Sequence, residues 1–467
     1  MTERLDFADI QGDILRAHGN SYDRTSYLFV GVGDVASGRA WLSGLIPRVT
    51  TAAWRGPIGP ATALNVAFTY TGLEALGVPQ RVLESCSTEF REGMAARAMK
   101  LGDTGPSSPD HWDEHLGTGE AHVLLTLNAK GEDALNAELA RLKEGIDAAG
   151  LSIVHQQDAQ LLGGAREHFG FADGASQPAI EDVNEDKNDG GGVPEKNGGW
   201  RPLALGEFIL GYEDEESRTA PNPRKWPLPH APRDPLGRNG TYMIWRKLHQ
   251  DVARFRRRLR EAAAVYHGGD ESLLAAKVVG RWRDGTPLIT APHRTQPDFD
   301  ASAPGANDFR YTRDPEGFAC PLGAHIRRAN PRDALDPEPG PDGGDGKLTF
   351  RHRIIRRGMP YGPPLAEGAL EDDGKPRGLV FVCFNASISR QFESVQRQWL
   401  NDGNIFHLGH DSDFLLGANE KRGKMTVQGD PPFILHPQEA FVVTKGGEYL
   451  FAPGITGLAA IADGVTG

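Results

Sequence analysis

The residues Gly170-Phe171-Ala172-Asp173-Gly174-Ala175-Ser176-Gln177-Pro178 fix one carboxylate beside a glycine in a stretch whose Gly, Ser and Pro content opposes regular helix or strand. Such an Asp is either turn grammar, since Asp-Gly is a routine turn pair and glycine supplies left-handed backbone, or a group that moves protons. A second stretch, Cys320-Pro321-Leu322-Gly323-Ala324-His325-Ile326-Arg327-Arg328-Ala329-Asn330-Pro331-Arg332, holds one histidine among small residues with arginines behind it. A lone histidine is more often a hydrogen-bonded structural imidazole than a ligand. Here the small neighbours would let something large and flat approach, and the arginines suit the propionates of a haem bound by one axial histidine. A third stretch runs from His352 to Pro364 and carries Arg353, Arg356 and Arg357 around Ile354-Ile355. These arginines are a solvated strand edge unless one turns inward.

Short β-prone runs bounded by turn residues predict strands over residues 26–32 and 121–127. Helices are predicted over residues 38–45, 72–76 and 131–149, the last with Leu135, Leu139, Leu142 and Ile146 at amphipathic spacing. A second block repeats that order, with strands over residues 241–245 and 378–384 and helices over 250–266 and 390–399. No sequence repeat accompanies it, so duplication rests on element order alone. The pattern predicts an α+β protein in which helices cover antiparallel sheets, divided into domains 1–215 and 216–467. Residues 181–200 and 221–238 read as loops, and residues 333–347 as a surface insertion.

A formal net charge of -12 argues against a nucleic-acid partner or an anionic membrane surface, both of which reward basic patches. Cys86, Cys320 and Cys383 are the only cysteines and have no CxxC spacing, which excludes a disulfide scaffold and a thiolate zinc site. A reducing cytoplasm is the compartment this implies, and the amino terminus shows neither a basic-plus-apolar leader nor twin arginines. Apolar runs such as residues 379–384 are too short to span a bilayer. His111 and His115 have metal-like spacing without an evident third ligand, and Gly190 to Gly192 lacks the Lys-Ser/Thr ending of a phosphate loop.

With three separated motifs in order, the chain resembles the dye-decolourising peroxidases, a haem peroxidase family, along nearly its whole length. The motifs are Gly-x-x-Asp-Gly from Gly170, Gly-Ala-His-Ile-Arg-Arg-Ala-Asn-Pro-Arg ending at Arg332, and Arg-x-Gly-x-Pro-Tyr-Gly from Arg356. Residues 9–15, 207–212 and 280–282 are lesser matches, and the Gly-Gly-Asp-Gly insertion looks most like the larger bacterial subgroup. The resemblance implies two ferredoxin-like domains, each an antiparallel sheet with peripheral helices, and a haem b held mainly by the C-terminal one. It implies reduction of hydrogen peroxide with one-electron oxidation of small organic donors, such as dyes and phenolics, through an oxoferryl intermediate. Carried over, it makes His325 the axial ligand of the haem iron, Asp173 the distal acid-base group and Arg356 the distal arginine.

By the same resemblance Arg327 reaches a propionate and Phe381 forms an apolar distal wall, a position that reads equally well as core packing. Asp413 best matches the carboxylate behind the axial histidine, with Asp411 and Glu393 as competitors. Tyr361 is a candidate electron relay for donors too bulky to enter; it reads also as a turn-packing tyrosine, and Trp282 and Trp399 read as core. The family's habit of self-association implies a homo-oligomer, although no heptad or apolar stripe supports one. The competing reading is a haem carrier or iron-releasing relative, which needs His325 and the cations but not an acid and an arginine on the opposite face. Because a carboxylate stands where other peroxidases use an imidazole, and carboxylates ionise at lower pH, activity should be weighted towards acid pH. A steady-state rate that climbs continuously above neutrality would count against Asp173 as the base.

Overall fold

The computed structural model describes every residue except 1–4, 17–21, 55–58, 175, 185–189, 196–198, 220–230, 234, 294–298, 301–302, 304, 337–345, 347, 418–422 and 466–467. Ala175 of the first motif, most of the insertion predicted over residues 333–347, much of the loop predicted over 221–238 and parts of that over 181–200 therefore lie outside the described residues.

Strict alternation builds the sheet. In Gly378–Asn385 the residues Val380, Val382 and Phe384 enter one apolar cluster while Phe381 and Cys383 belong to another, as a period of two requires. The first half of the chain contributes β1 (Arg24–Gly31), α1 (Val35–Leu45), β2 (Thr62–Phe68), β3 (Val123–Ala129), α2 (Glu132–Ala148) and β4 (Ser152–Gln160). The second contributes β5 (Thr241–Gln250), α3 (Val252–Ala263), α4 (Glu271–Val279), α5 (His325–Ala329), β6 (Ile355–Arg356), β7 (Met359–Tyr361), β8 (Gly378–Asn385), β9 (Val442–Ala452) and α6 (Ile455–Asp463).

The strands run in the order β4-β1-β3-β2-β9-β5-β8-β6, with β7 also on β8 and every pairing antiparallel. Each half thus repeats one order, fourth-first-third-second, which is the ferredoxin-like arrangement that the resemblance implies. The halves meet through a single register pair, Phe451 with Phe68. At the far ends β4 lies against β7 without a hydrogen-bonded ladder, so the sheet curls towards a barrel but stays open.

Helices start where a side chain can accept an orphan amide: Asp34 caps α1, Asp251 caps α3 and Asp270 caps α4. On α2 the residues Leu135, Leu139, Leu142 and Ile146 are the buried ones, as the periodicity predicts. The helix predicted over residues 390–399 is instead two π-helical segments, Ser389–Glu393 and Val395–Asn401. In these wider turns residues four apart stay nearly in line, and Phe392, Gln396 and Leu400 all reach one cavity. No described helix is long and apolar enough to cross a membrane.

On β9, Glu448 shares the inner face with its cross-strand neighbour Trp245 and accepts a hydrogen bond from Gly117 N at 2.6 Å. Burial pushes its carboxyl up to about 8. Between the ordinary carboxylate range and that value the native state holds a proton that the unfolded state has lost, so stability falls as pH rises through this window. Glu448→Gln keeps the acceptor for Gly117 and should remove that fall, worth on the order of a few kcal/mol by pH 8. Melting temperatures of the two proteins from pH 5 to 8 should diverge with rising pH; parallel curves would show that Glu448 is not the group responsible.

Candidate active site

A cavity of about 780 Å³ lies between the outer face of the second half-sheet and the layer of α3, α4 and α5. Leu379 and Phe381 of β8 and Leu248 of β5 form its sheet wall, and Phe309, Tyr311, Val279 and His325 stand among its other lining residues. The volume is that of a small-molecule or cofactor site, and the walls are largely apolar with a few polar groups converging from both halves of the chain.

His325 opens α5, and its Nδ1 lies 2.9 Å from Asp413 Oδ2. Asp413 is fully buried and also accepts from Leu415 N at 3.0 Å and Leu416 N at 2.7 Å. Burial alone would raise the Asp413 carboxyl, but the His325 charge and hydrogen bond, the Leu416 amide and Arg328 bring it below its ordinary value. Burial likewise pushes the His325 imidazole down, and Asp413 outweighs it and raises it. With Nδ1 assigned as donor by the carboxylate opposite it, the lone pair of Nε2 remains for a ligand in the cavity that His325 lines. The competing acids are engaged elsewhere: Asp411 accepts from Lys424 and Thr426 N, and Glu393 from Arg97 and Tyr449.

Asp173 and Arg356 also line the cavity, and Arg356 Nη1 donates to Asp173 Oδ1 at 3.2 Å. The backbone amide of Gly174 donates to the same oxygen at 2.6 Å. Gly170 and Gly174 have φ of +96° and +80°, so both motif glycines occupy backbone that other residues rarely adopt, and a Cβ on Gly170 would meet Arg283 Nη1 at 2.6 Å. Gln177 ties the motif to β6 by two backbone bonds, donating to Arg356 O at 3.1 Å and accepting from Arg356 N at 3.2 Å. Arg356 and its cross-strand partner Cys383 share the outer face, which directs the guanidinium towards the cavity.

Two expected residues take other places. Arg327 is buried and turned away: it donates to Asp314 Oδ2 at 3.2 Å and Cys320 O at 2.7 Å and stacks over Tyr311 at 4.6 Å. Two residues beyond His325 is roughly 200° around a helix, so a side chain there faces opposite to the histidine. Tyr361 is 3% exposed, lies in the inner core with Lys247 over its ring, and does not line the cavity. Five residues beyond Arg356 is an odd step along extended chain and reverses the face. A buried tyrosine on the far side of the sheet offers no surface to bulky donors. Phe381 does line the cavity, 6.1 Å from Phe392.

Sequence reasoning also passed over three cations. Arg281, Arg332 and Arg353 line the cavity and donate to neutral oxygens: Gly285 O and Asn307 Oδ1, then Asn307 O and Phe309 O, then Asn330 Oδ1 and the Gly190 and Gly191 carbonyls. None of the three forms an ion pair among the described residues, and burial pulls them down to about 10, 9 and 10 respectively. Buried cations left with neutral acceptors suit incoming carboxylates. A histidine presenting Nε2, apolar walls and uncompensated guanidinium groups together fit a haem, whose iron needs one protein ligand and whose propionates need cations. No cluster of three His, Cys, Asp or Glu that could hold a bare metal ion occurs among the described residues.

Residues 9–162 match the DyP dimeric alpha+beta barrel domain. Over 99% of its length the chain is 30% identical to a dye-decolorizing peroxidase of Mycena epipterygia, covering 88% of that protein. Over 96% of its length it is 30% identical to the multifunctional dye peroxidase DyP2 of an Amycolatopsis species, covering 94% of it. A solved dye-decolorizing peroxidase in complex with 2,6-dimethoxyphenol is 26% identical, with a TM-score of 0.81 over 98% of this chain and 100% of that one. Paired ferredoxin-like half-sheets, one of them walling a cavity beside His325, define a class of haem peroxidase distinct in architecture from helical ones. This chain belongs to the dye-decolourising peroxidase family and is a peroxidase. The likeness is as strong to a fungal member as to a bacterial one, so it is not confined to a bacterial subgroup.

Glu167 was also missed, and it controls the Asp173 loop. Its buried carboxylate accepts from Phe169 N at 2.8 Å, Phe171 N at 2.9 Å and Gln250 Nε2 at 2.7 Å. Burial raises its carboxyl, the three donors oppose that rise, and the charge of Asp173 adds to it. Glu167→Gln sets an amide NH₂ against one of these backbone donors and should cost about 1–3 kcal/mol in denaturant unfolding. It should also slow the reaction with peroxide about tenfold or more by loosening Asp173. Unchanged stability and rate would show that the loop is held by other contacts.

Proposed function

We propose that His325 would hold the iron of a haem b, that Asp173 and Arg356 in the same cavity activate hydrogen peroxide, and that phenols and similar small organic molecules are the electron donors. The observation that carries this reading is the Asp173–Arg356 pair, 3.2 Å apart on a wall of the same cavity that His325 lines. Binding or transport of haem would use His325 and the buried arginines but would leave an acid and a guanidinium in that pairing without a task.

When bound, haem supplies the redox chemistry, taking oxidising equivalents from peroxide and releasing them one electron at a time. Asp413 orients His325 and keeps its imidazole electron-rich through the Nδ1 hydrogen bond. Asp173 takes a proton from one oxygen of hydrogen peroxide and returns it to the other, so that a single carboxylate serves as base and then acid. Its Oδ1 is already held by Gly174 N and Arg356 Nη1, which leaves the second oxygen to carry the proton. Arg356 opposes the negative charge that gathers on the departing oxygen. Leu379 and Phe381 keep bulk water from the peroxide. Arg281, Arg332 and Arg353 are the residues that would meet the propionates. The phenol in the solved relative supports a phenolic donor.

Asp173→Asn should keep its Soret band at full haem content while its reaction with peroxide slows by about a hundredfold or more. His325→Ala should lose the band. Full turnover in Asp173→Asn would remove the acid-base assignment, and an undiminished Soret band in His325→Ala would remove the ligand.

A further inference from the structure

Tyr449 is a buried titratable group that the peroxide reaction does not use. It sits on the outer face of β9, 1% exposed, and its hydroxyl donates to Glu393 Oε1 at 2.9 Å. Glu393, 2% exposed, is gripped by Arg97 through Nε to Oε1 at 2.5 Å and Nη2 to Oε2 at 2.6 Å. Arg97 is itself paired with Glu92 at the surface and lies 4.0 Å from Glu89, so its charge is shared among several carboxylates. The hydroxyl of Tyr242, also buried, accepts from Ser87 N instead and bonds to no such acid among the described residues.

The ring of Tyr449 is 6.2 Å from that of Phe392, which lines the cavity and lies 6.1 Å from Phe381 on the same wall. One aromatic ring therefore separates the phenol from the space where the cofactor belongs. Burial and the Glu393 carboxylate hold the phenol well above its ordinary value, so it is protonated before any reaction. A phenol gives up an electron at an accessible potential only if its proton departs with the electron, because the radical cation is a very strong acid. In an apolar interior that proton needs a fixed acceptor, and Glu393 Oε1 stands in line with the O–H.

We propose that Tyr449 is a redox-active residue that gives one electron, past Phe392, to the peroxide-oxidised cofactor and hands its phenolic proton to Glu393. The electron reduces the cofactor by one equivalent, the O–H bond breaks, and a new O–H bond forms on the Glu393 carboxylate, leaving a neutral tyrosyl radical. One electron from a small organic donor in the cavity, passed back across Phe392, and the return of the proton from Glu393 restore the phenol. An oxidising equivalent is thus stored in the protein, outside the cavity, until a donor arrives. This rests on the haem reading above, and its consequences are separable from it.

The holoenzyme is mixed with one equivalent of hydrogen peroxide without donor, frozen within milliseconds and examined by electron paramagnetic resonance, with a parallel sample of protein carrying ring-deuterated tyrosine. The wild-type protein should give a signal that narrows on deuteration, as a tyrosyl radical does. Tyr449→Phe should lower the signal at least fivefold with the Soret band and its first response to peroxide unchanged. Glu393→Gln, which retains Tyr449 but not the proton acceptor, should lower it similarly. A Soret response to peroxide with no tyrosyl signal, or an undiminished signal in Tyr449→Phe, overturns the role of Tyr449 alone. Absence of any Soret response in the wild-type protein overturns the haem reading and this one with it.

Discussion

Asp413 has no solvent exposure, and a lone carboxylate in that position would cost several kcal/mol. The Leu415 and Leu416 amides and the His325 imidazole surround it, so the charge is kept and the imidazole is turned with it. Much of what the cavity can do follows from that compensation. The histidine cannot rotate without abandoning a buried charge, and so Nε2 has one direction in which to present a lone pair. The opposite solution is used where no cation pairs with the acid: Glu167 and Glu448 are held by amide donors, and burial drives both towards the neutral form. Arg281, Arg332 and Arg353 are the complement of Asp413, cations donating to neutral oxygens and pulled down by burial. A carboxylate-bearing cofactor would complete them.

The fold makes these charges meet by placing the cavity against one half-sheet and roofing it with chain from both halves. The loop after β4 carries Glu167, Asp173 and Gln177, and β6 carries Arg356, so the Asp173–Arg356 contact joins residues 183 positions apart. The two halves share one backbone register pair in the sheet. The Gln177–Arg356 bonds add a tie between the halves at the site itself. The motif glycines serve the same end, since the positive φ at Gly170 and Gly174 lets the loop fold back while Arg283 occupies the volume a side chain would need.

Much of this was legible before any coordinates. Strands and helices fell close to the runs their periodicity marked, and the duplicated order of elements appeared in the halves as a duplicated order of strands. Asp173, His325 and Arg356 of the three motifs stand at the cavity, as does Phe381, and Asp413 supports His325; the last two lie outside the motifs and were reached by the family resemblance alone. Arg327 and Tyr361 were misplaced for a reason that was itself local: a two-residue step on a helix and an odd step along a strand each reverse direction. The helix over residues 390–399 became π-helical, a difference that hydrophobic spacing does not encode.

The sequence by itself determined the elements, the family and the chemical types gathered in three motifs, since propensity, periodicity and turn grammar act over a few neighbouring residues. Only the tertiary structure decided which face of β8 met the cavity, that Asp413 rather than Asp411 or Glu393 reached His325, and that Arg281, Arg332 and Arg353 stood without ion pairs among the described residues. It also decided that Tyr449 met Glu393 beside Phe392. Those outcomes depend on which distant groups are desolvated together, and desolvation is a property of the packed interior rather than of any segment of chain.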